Sequence, residues 1–193
     1  MDSTNAIRGG EITSDNKTAI YNESTKELQI NNATVVSNGE GSVIVNKGNG
    51  NIIIDNSNIS SDFGCPINNI LNGNITIRSG NITTKGNKKT AIWNESGNIL
   101  ILGGKISAKA NSIYNNNSSA KVIIGEDDNI VSTDVPELVS PNNYYTVWSS
   151  NIEFYDGILK GGGIDTNNTS LSIPQGKELL KNTSQEIYYT ILN

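Results

Sequence analysis

No histidine occurs in the 193 residues. That excludes Ser-His-Asp and Cys-His catalysis and every metal site built on imidazole. Cysteine occurs once, at Cys65, so no intrachain disulfide can form. It precedes Pro66 and has no histidine to activate it, so it is expected to act as a small buried apolar residue. Helix formers such as Leu, Ala and Glu are sparse for a chain of this length. No apolar run approaches the roughly 18 residues needed to span a bilayer as a helix. The net charge of -5 is mild, and no run of Lys and Arg interleaves with aromatics, so nucleic acid is not an expected partner. The opening residues Met1-Asp2-Ser3-Thr4-Asn5 lack the basic and apolar regions of a secretory leader.

About one residue in six is Asn, and Gly is abundant. Such a composition approaches low complexity, but aliphatic residues recur at regular places, which argues against disorder. One phrase repeats: an aliphatic, four residues with a small one among them, then an aliphatic. It begins at Ile7, Ile30, Ile54, Ile77 and Ile101, every 23 or 24 positions. A fixed period in that range marks a solenoid.

Three short apolar segments fit into each repeat. The first reads Ile20-Tyr21-Asn22, Ile44-Val45-Asn46, Ile70-Leu71-Asn72, Ile92-Trp93-Asn94 and Ile113-Tyr114-Asn115, with looser copies at Val147-Trp148-Ser149 and Ile164-Asp165-Thr166. The second alternates with period two, as in Leu28-Gln29-Ile30, Ile52-Ile53-Ile54 and Ile99-Leu100-Ile101. The third is anchored by Ile12, Val35, Ile59, Ile82, Ile106, Ile130 and Leu159. Period two with β-branched residues predicts strands. Strands this short cannot stand alone, so each is expected to pair in parallel with its copy one coil later, about 4.8 Å away. The stretch from Val131 to Thr146, with Pro136 and Pro141, reads as an excursion from one coil.

Asn22, Asn46, Asn72, Asn94 and Asn115 share the inward register of the aliphatic two places before them. A lone buried amide would go unsatisfied, whereas stacked amides bond to one another and to the turn backbone, so a structural Asn ladder is expected. The alternative is that these Asn residues simply sit in loops. The sequons at Asn22, Asn74 and Asn94 are expected from composition alone, and the period gives most of these Asn residues a structural reason instead.

Coils of about 23 residues with three strands, inward aliphatic ladders and an Asn ladder at a turn resemble right-handed parallel β-helix proteins of the pectin-lyase-like class. The phrase from Ala91 to Ser107 is similar to repeats of adhesin-like surface proteins of Gram-positive bacteria. The resemblance runs from Ile7 to about Leu179. It implies an all-β, right-handed, three-sheet solenoid of about seven coils, and an extracellular or cell-surface location. The chain reads as one β-helix domain, with residues 180–193 as the start of a further coil: Thr190-Ile191-Leu192-Asn193 matches Ala91-Ile92-Trp93-Asn94. Both ends look cut within a coil, so a segment of a longer repetitive protein is expected, or one that self-associates end to end or side by side.

Candidate chemistry is thin. Glu126-Asp127-Asp128 is the densest acidic cluster and is expected to be a solvated turn rather than a calcium site. Asp55 and Arg78, neighbours across one coil step, read as a surface ion pair. Glycoside hydrolysis needs paired carboxylates, and none stand out. No catalytic residue, metal or cofactor is therefore assigned. The outward position of the first strand is more informative. Tyr21, Val45, Leu71, Trp93, Tyr114 and Trp148 fall there, and both Trp residues are on this stripe. Tyr21, Trp93, Tyr114 and Trp148 are the expected binding residues, because exposed aromatics on a flat sheet stack on sugars or anchor a protein. A flanking segment covering them as ordinary packing is the competing reading, and the apolar middle of the second strand's outward row (Ile53, Leu100, Ile123) favours such cover. The expected function is a non-catalytic, adhesin-like surface module that presents a repeated face to a glycan or a host or cell-surface protein. The alternative is a carbohydrate-active pectin-lyase-like enzyme domain or its binding module.

Overall fold

The computed structural model describes residues 4–126, 135–165, 169–173, 175–182 and 187–192. The described residues are all-β, with no helix among them. The chain winds as a parallel β-solenoid of about 7 coils, each about 23 residues long. Three parallel sheets run along it, and each receives one strand per coil. The first sheet holds Ile20–Asn22, Ile44–Asn46, Ile67–Asn69, Ile92–Asn94, Ile113–Asn115 and Val147–Trp148. The second begins with Asn5–Arg8, Leu28–Asn31 and Ile52–Asp55 and extends to Ser170–Ser172. The third begins with Glu11–Ser14, Thr34–Ser37 and Ser57–Ser61.

Alternation decides which side chains fill the interior. In Ile52-Ile53-Ile54 the outer two are fully buried and the middle one is half-exposed. Ile30, Ile54, Ile77, Ile101 and Ile124 stack as one column, each opposite its copy one coil on. Each fully buried Ile contributes on the order of 1.5–3 kcal/mol relative to exposure.

The corner between the second and third sheets is tight and uses the left-handed backbone region. Gly10, Asn32, Asn56, Gly80 and Gly104 fall at or beside it with φ between 43° and 103°. Gly and Asn tolerate this region best, which accounts for the Gly-Gly and Asn residues in the repeated phrase. Space is a second constraint at Gly104, where a Cβ would lie 2.5 Å from the Gly80 carbonyl oxygen. At Gly10 a Cβ would meet nothing within 4 Å.

The Asn ladder is present, with one change of member. Nδ2 of Asn22 donates to Oδ1 of Asn46 (2.8 Å), Asn46 to Asn69 (2.8 Å), Asn69 to Asn94 (2.7 Å) and Asn94 to Asn115 (2.7 Å). Asn115 closes the run on Ser149 Oγ at 2.9 Å. From Asn46 onward Nδ2 also donates to a carbonyl of the following corner, that of Gly50, Gly73, Gly97 or Ala120. The expected member Asn72 is exposed, and Asn69 takes its place, because Ile67-Asn68-Asn69 is the strand that pairs with Ile44–Asn46 and Ile92–Asn94. Both triplets read Ile-x-Asn, but only the earlier one leaves enough chain to turn the corner before Ile75. Leu71 leaves the outward row for the same reason and sits in that corner.

Three further expectations change. Leu138, not Ile130, pairs with Ile106 and Leu159 as the third-sheet anchor; Ile130 itself lies outside the described residues. The excursion is therefore not continuous from 131 to 146, since Glu137–Val139 returns to the sheet. Residues 187–192 do not start another coil. Ile187–Leu192 runs antiparallel to both Ile158–Lys160 and Lys177–Asn182. A strand that reverses through a short connection must return antiparallel to the one it left.

Two stability measurements follow. Asn69→Leu should lower stability by roughly 1–3 kcal/mol, because it strands the amides of Asn46 and Asn94 and the Gly73 carbonyl. Asn72→Leu should stay within about 0.5 kcal/mol. Equal denaturant midpoints for the two variants would place the ladder wrongly. In the second pair, Gly10→Ala should cost about 1–2 kcal/mol for its backbone alone. Gly104→Ala, with the same backbone sign and a steric conflict besides, should cost more, and a smaller loss than Gly10→Ala would contradict the close approach.

Candidate functional site

The parallel register places Tyr21, Val45, Asn68, Trp93, Tyr114 and Trp148 in one outward row of the first sheet. Three rings of this row stack on one another. The Trp93 and Tyr114 centroids are 4.5 Å apart with planes inclined by 27°, and those of Tyr114 and Trp148 are 4.4 Å apart and inclined by 8°. These separations are close to the coil step itself, so each ring lies over its neighbour along the solenoid axis. Tyr114 has both faces covered. The Val147 to Ile164 bridge puts buried Asp165 next to Trp148 in the row. Cover therefore comes largely from ring on ring, a third arrangement beside the open platform and the flanking segment expected from sequence. Tyr21 stands apart from this stack at 55% exposure, separated from it by Val45 and Asn68.

The stack ends at Trp93. Its other face looks toward Asn68, whose side chain is too short to continue the row. Trp93 is 36% exposed. Beside it lies a cleft of about 370 Å³ bordered by Glu40, Asn68, Lys88, Lys89, Trp93 and Glu95. The indole Nε1–H donates to a Glu95 carboxylate oxygen at 3.3 Å, which orients both groups. The Asn68 amide oxygen is buried and accepts no hydrogen bond. Neither Lys88 nor Lys89 forms a salt bridge among the described residues. Lys88 has φ 57°, in the turn closed by the Lys89 N–H donating to the Gly86 carbonyl at 3.1 Å. A non-glycine residue there stores backbone strain of about 1–2 kcal/mol. The sequence row, one triplet out of register at this coil, gave no sign of Asn68 or of the cleft.

Cys65 also borders the cleft but turns its thiol inward, donating to the Ile67 carbonyl at 3.0 Å. Burial pushes its pKa up from 9.0 to about 12. It is a packed, protonated group and supplies no nucleophile at neutral pH.

The remaining candidates are structural. Asp55 accepts from Ser79 Oγ at 2.7 Å and forms no ion pair with Arg78 among the described residues, correcting that expectation. Here a hydroxyl one coil on satisfies the carboxylate instead. Of the acidic cluster, Asp127 and Asp128 lie outside the described residues. No group of three His, Cys, Asp or Glu residues able to hold a metal occurs among the described residues. Glu137 lies between Lys105 (2.8 Å) and Lys160 (3.2 Å), and Glu153 pairs with Lys121, and in each case the lysine partner holds the carboxyl below its ordinary range. Two sequon residues, Asn22 and Asn94, are buried ladder members, and Asn74 accepts from the Asn98 backbone N–H at 2.8 Å. Asn74 belongs to an outer Asn row with Asn51 and Asn98.

Compared with protein families, with curated proteins and with solved structures, the chain finds no match. No helix among the described residues is long and apolar enough to cross a membrane.

The state of Cys65 can be tested directly. At pH 9 a free thiol of pKa 9.0 is half thiolate, while the native one stays protonated, so iodoacetamide should label the native chain at least about tenfold more slowly than the urea-unfolded chain. Because the folded pKa lies above the unfolded one, unfolding releases a proton in alkali, and stability should fall as pH rises from 9 toward 12. Equal labelling rates would place the thiol at the surface.

Proposed function

We propose that the chain is a non-catalytic, adhesin-like β-helix module of a secreted or cell-surface protein that binds glycans on the outer face of its first sheet. The observation that carries this reading is the row of three stacked aromatic rings ending in an uncovered Trp93 face beside a polar cleft. Sugars present one C–H face that packs on an aromatic ring and a rim of hydroxyls that seek amides, carboxylates and ammonium groups. The cleft supplies both kinds of surface. The location rests on the resemblance of the Ala91 to Ser107 phrase to repeats of Gram-positive surface proteins, and of the coil to the pectin-lyase-like class, alone.

A second reading, a glycoside hydrolase, is favoured by one observation: the carboxylates of Glu40 and Glu95 border the same cleft. Hydrolysis needs both carboxyl groups free to act on the sugar, and Glu95 is already engaged by the Trp93 indole. Binding without turnover remains the better-supported reading.

The two are separated by incubating the full chain with a panel of oligosaccharides and following binding and chain length together. Retention of one or more oligosaccharides with no new reducing ends is the expected result. Shortened products that vanish in Glu40→Gln or Glu95→Gln would replace the binding module with the hydrolase.

A further inference from the structure

The geometry points to a single recognition slot: we propose that a neutral pyranose ring extends the aromatic stack, lying on the uncovered face of Trp93 in the space above Asn68. This rests on the glycan-binding reading and narrows it to one end of the row and to uncharged sugars.

The argument begins with spacing. Along the stack the rings are 4.4–4.5 Å apart, which leaves no room for a ligand between them. One coil before Trp93 the row position is Asn68, so the next ring-sized place is left open. A flat ring entering there meets an indole face at the separation the protein already uses between its own rings. Trp93 cannot swing away easily, because its other face is against Tyr114 and its N–H is held by Glu95.

Polar groups surround that place. The Asn68 amide is half-exposed at the base of the cleft, yet its oxygen has no donor. Rotation about the terminal side-chain torsion, which is soft, turns that oxygen toward a ligand hydroxyl. Glu40 and Glu95 offer acceptors, and Lys88 and Lys89 offer donors. Two carboxylates and two ammonium groups balance, so the cleft has no net charge with which to select an acidic or a basic sugar. Lys88 is held in a strained backbone conformation that glycine would adopt freely. Such strain at a cleft edge fits a side chain retained for contact rather than for folding.

The test uses the full chain on an array of neutral oligosaccharides of gluco, galacto, manno and N-acetylated series, beside a matched set ending in uronic or sialic acid. Four variants accompany it: Trp93→Ala, Asn68→Ala, Lys88→Gly and, as a control on the exposed face of the third sheet, Asn81→Ala. Lys88→Gly relieves strain and so keeps the fold, which guards against loss through misfolding. The expected result is binding to neutral sugars, weakened at least about tenfold by Trp93→Ala and Asn68→Ala, weakened by Lys88→Gly, and kept by Asn81→Ala. Neutral binding that survives Trp93→Ala and Asn68→Ala would overturn the slot while leaving a glycan module elsewhere on the surface. Binding confined to the acidic set would overturn the neutral assignment. Binding to no sugar at all would remove the glycan reading and the slot together.

Discussion

Four ladder amides in this solenoid each hand one N–H to the amide a coil further on, the fifth hands its own to Ser149, and the rest of the structure depends on that exchange. The aliphatic columns supply most of the burial, but an Ile stacked on an Ile is nearly indifferent to small shifts. An amide is not, because a displaced coil would leave its donor and its acceptor facing apolar side chains. The run from Asn22 through Asn46, Asn69, Asn94 and Asn115 to Ser149 therefore fixes register along the first sheet. A one-residue slip would also turn every inward side chain outward. The ladder and the alternation thus enforce the same alignment by different penalties.

That alignment creates the aromatic stack. Trp93, Tyr114 and Trp148 each sit one place before a ladder position or its Ser149 equivalent, so the amides that fix the interior also fix the rings outside. Rings held one coil step apart cover one another, and each covered face removes apolar surface from water without any second layer of chain. A solenoid sheet can in this way present large aromatics and still keep most of their area dry. The arrangement is stable for the same reason that it is poor at binding along its length: the faces are already used.

Periodicity carried most of the fold into view. Strand type, parallel stacking, the three columns and the ladder all follow from spacings that recur many times, so one ambiguous copy does not disturb them. The failures fall where a single copy had to be placed by itself. Ile67-Asn68-Asn69 and Ile70-Leu71-Asn72 are equal as patterns. They are distinguished by distance: from Asn22 to Leu28, Asn46 to Ile52 and Asn69 to Ile75 is six residues, with five from Asn94 to Ile99 and seven from Asn115 to Val122, against three from Asn72 to Ile75, a pattern present in the chain but weaker to the eye than the apolar motif. Leu138 was hidden because an insertion broke the period, and Ile130 happened to stand at the expected place. The last hairpin was hidden because direction is not written in a strand's composition. Thr190-Ile191-Leu192 satisfies the repeat motif whichever way it runs.

The candidate site was the least legible part, for a reason built into repeats. In a regular array each outward position resembles its neighbours, and recognition of one ligand needs a place where the array is broken. Here the break is Asn68, where the run of three rings stops. Placing Leu71 in the row instead of Asn68, as pattern alone suggests, makes the row continuous and apolar. With Asn68 in place, the row changes within one coil step from an indole to an unsatisfied amide. The indole face and the lone acceptor are thus neighbours along the axis, one apolar and one polar. The same ladder that makes the coils equivalent therefore fixes where along the first sheet the row passes from rings to Asn68.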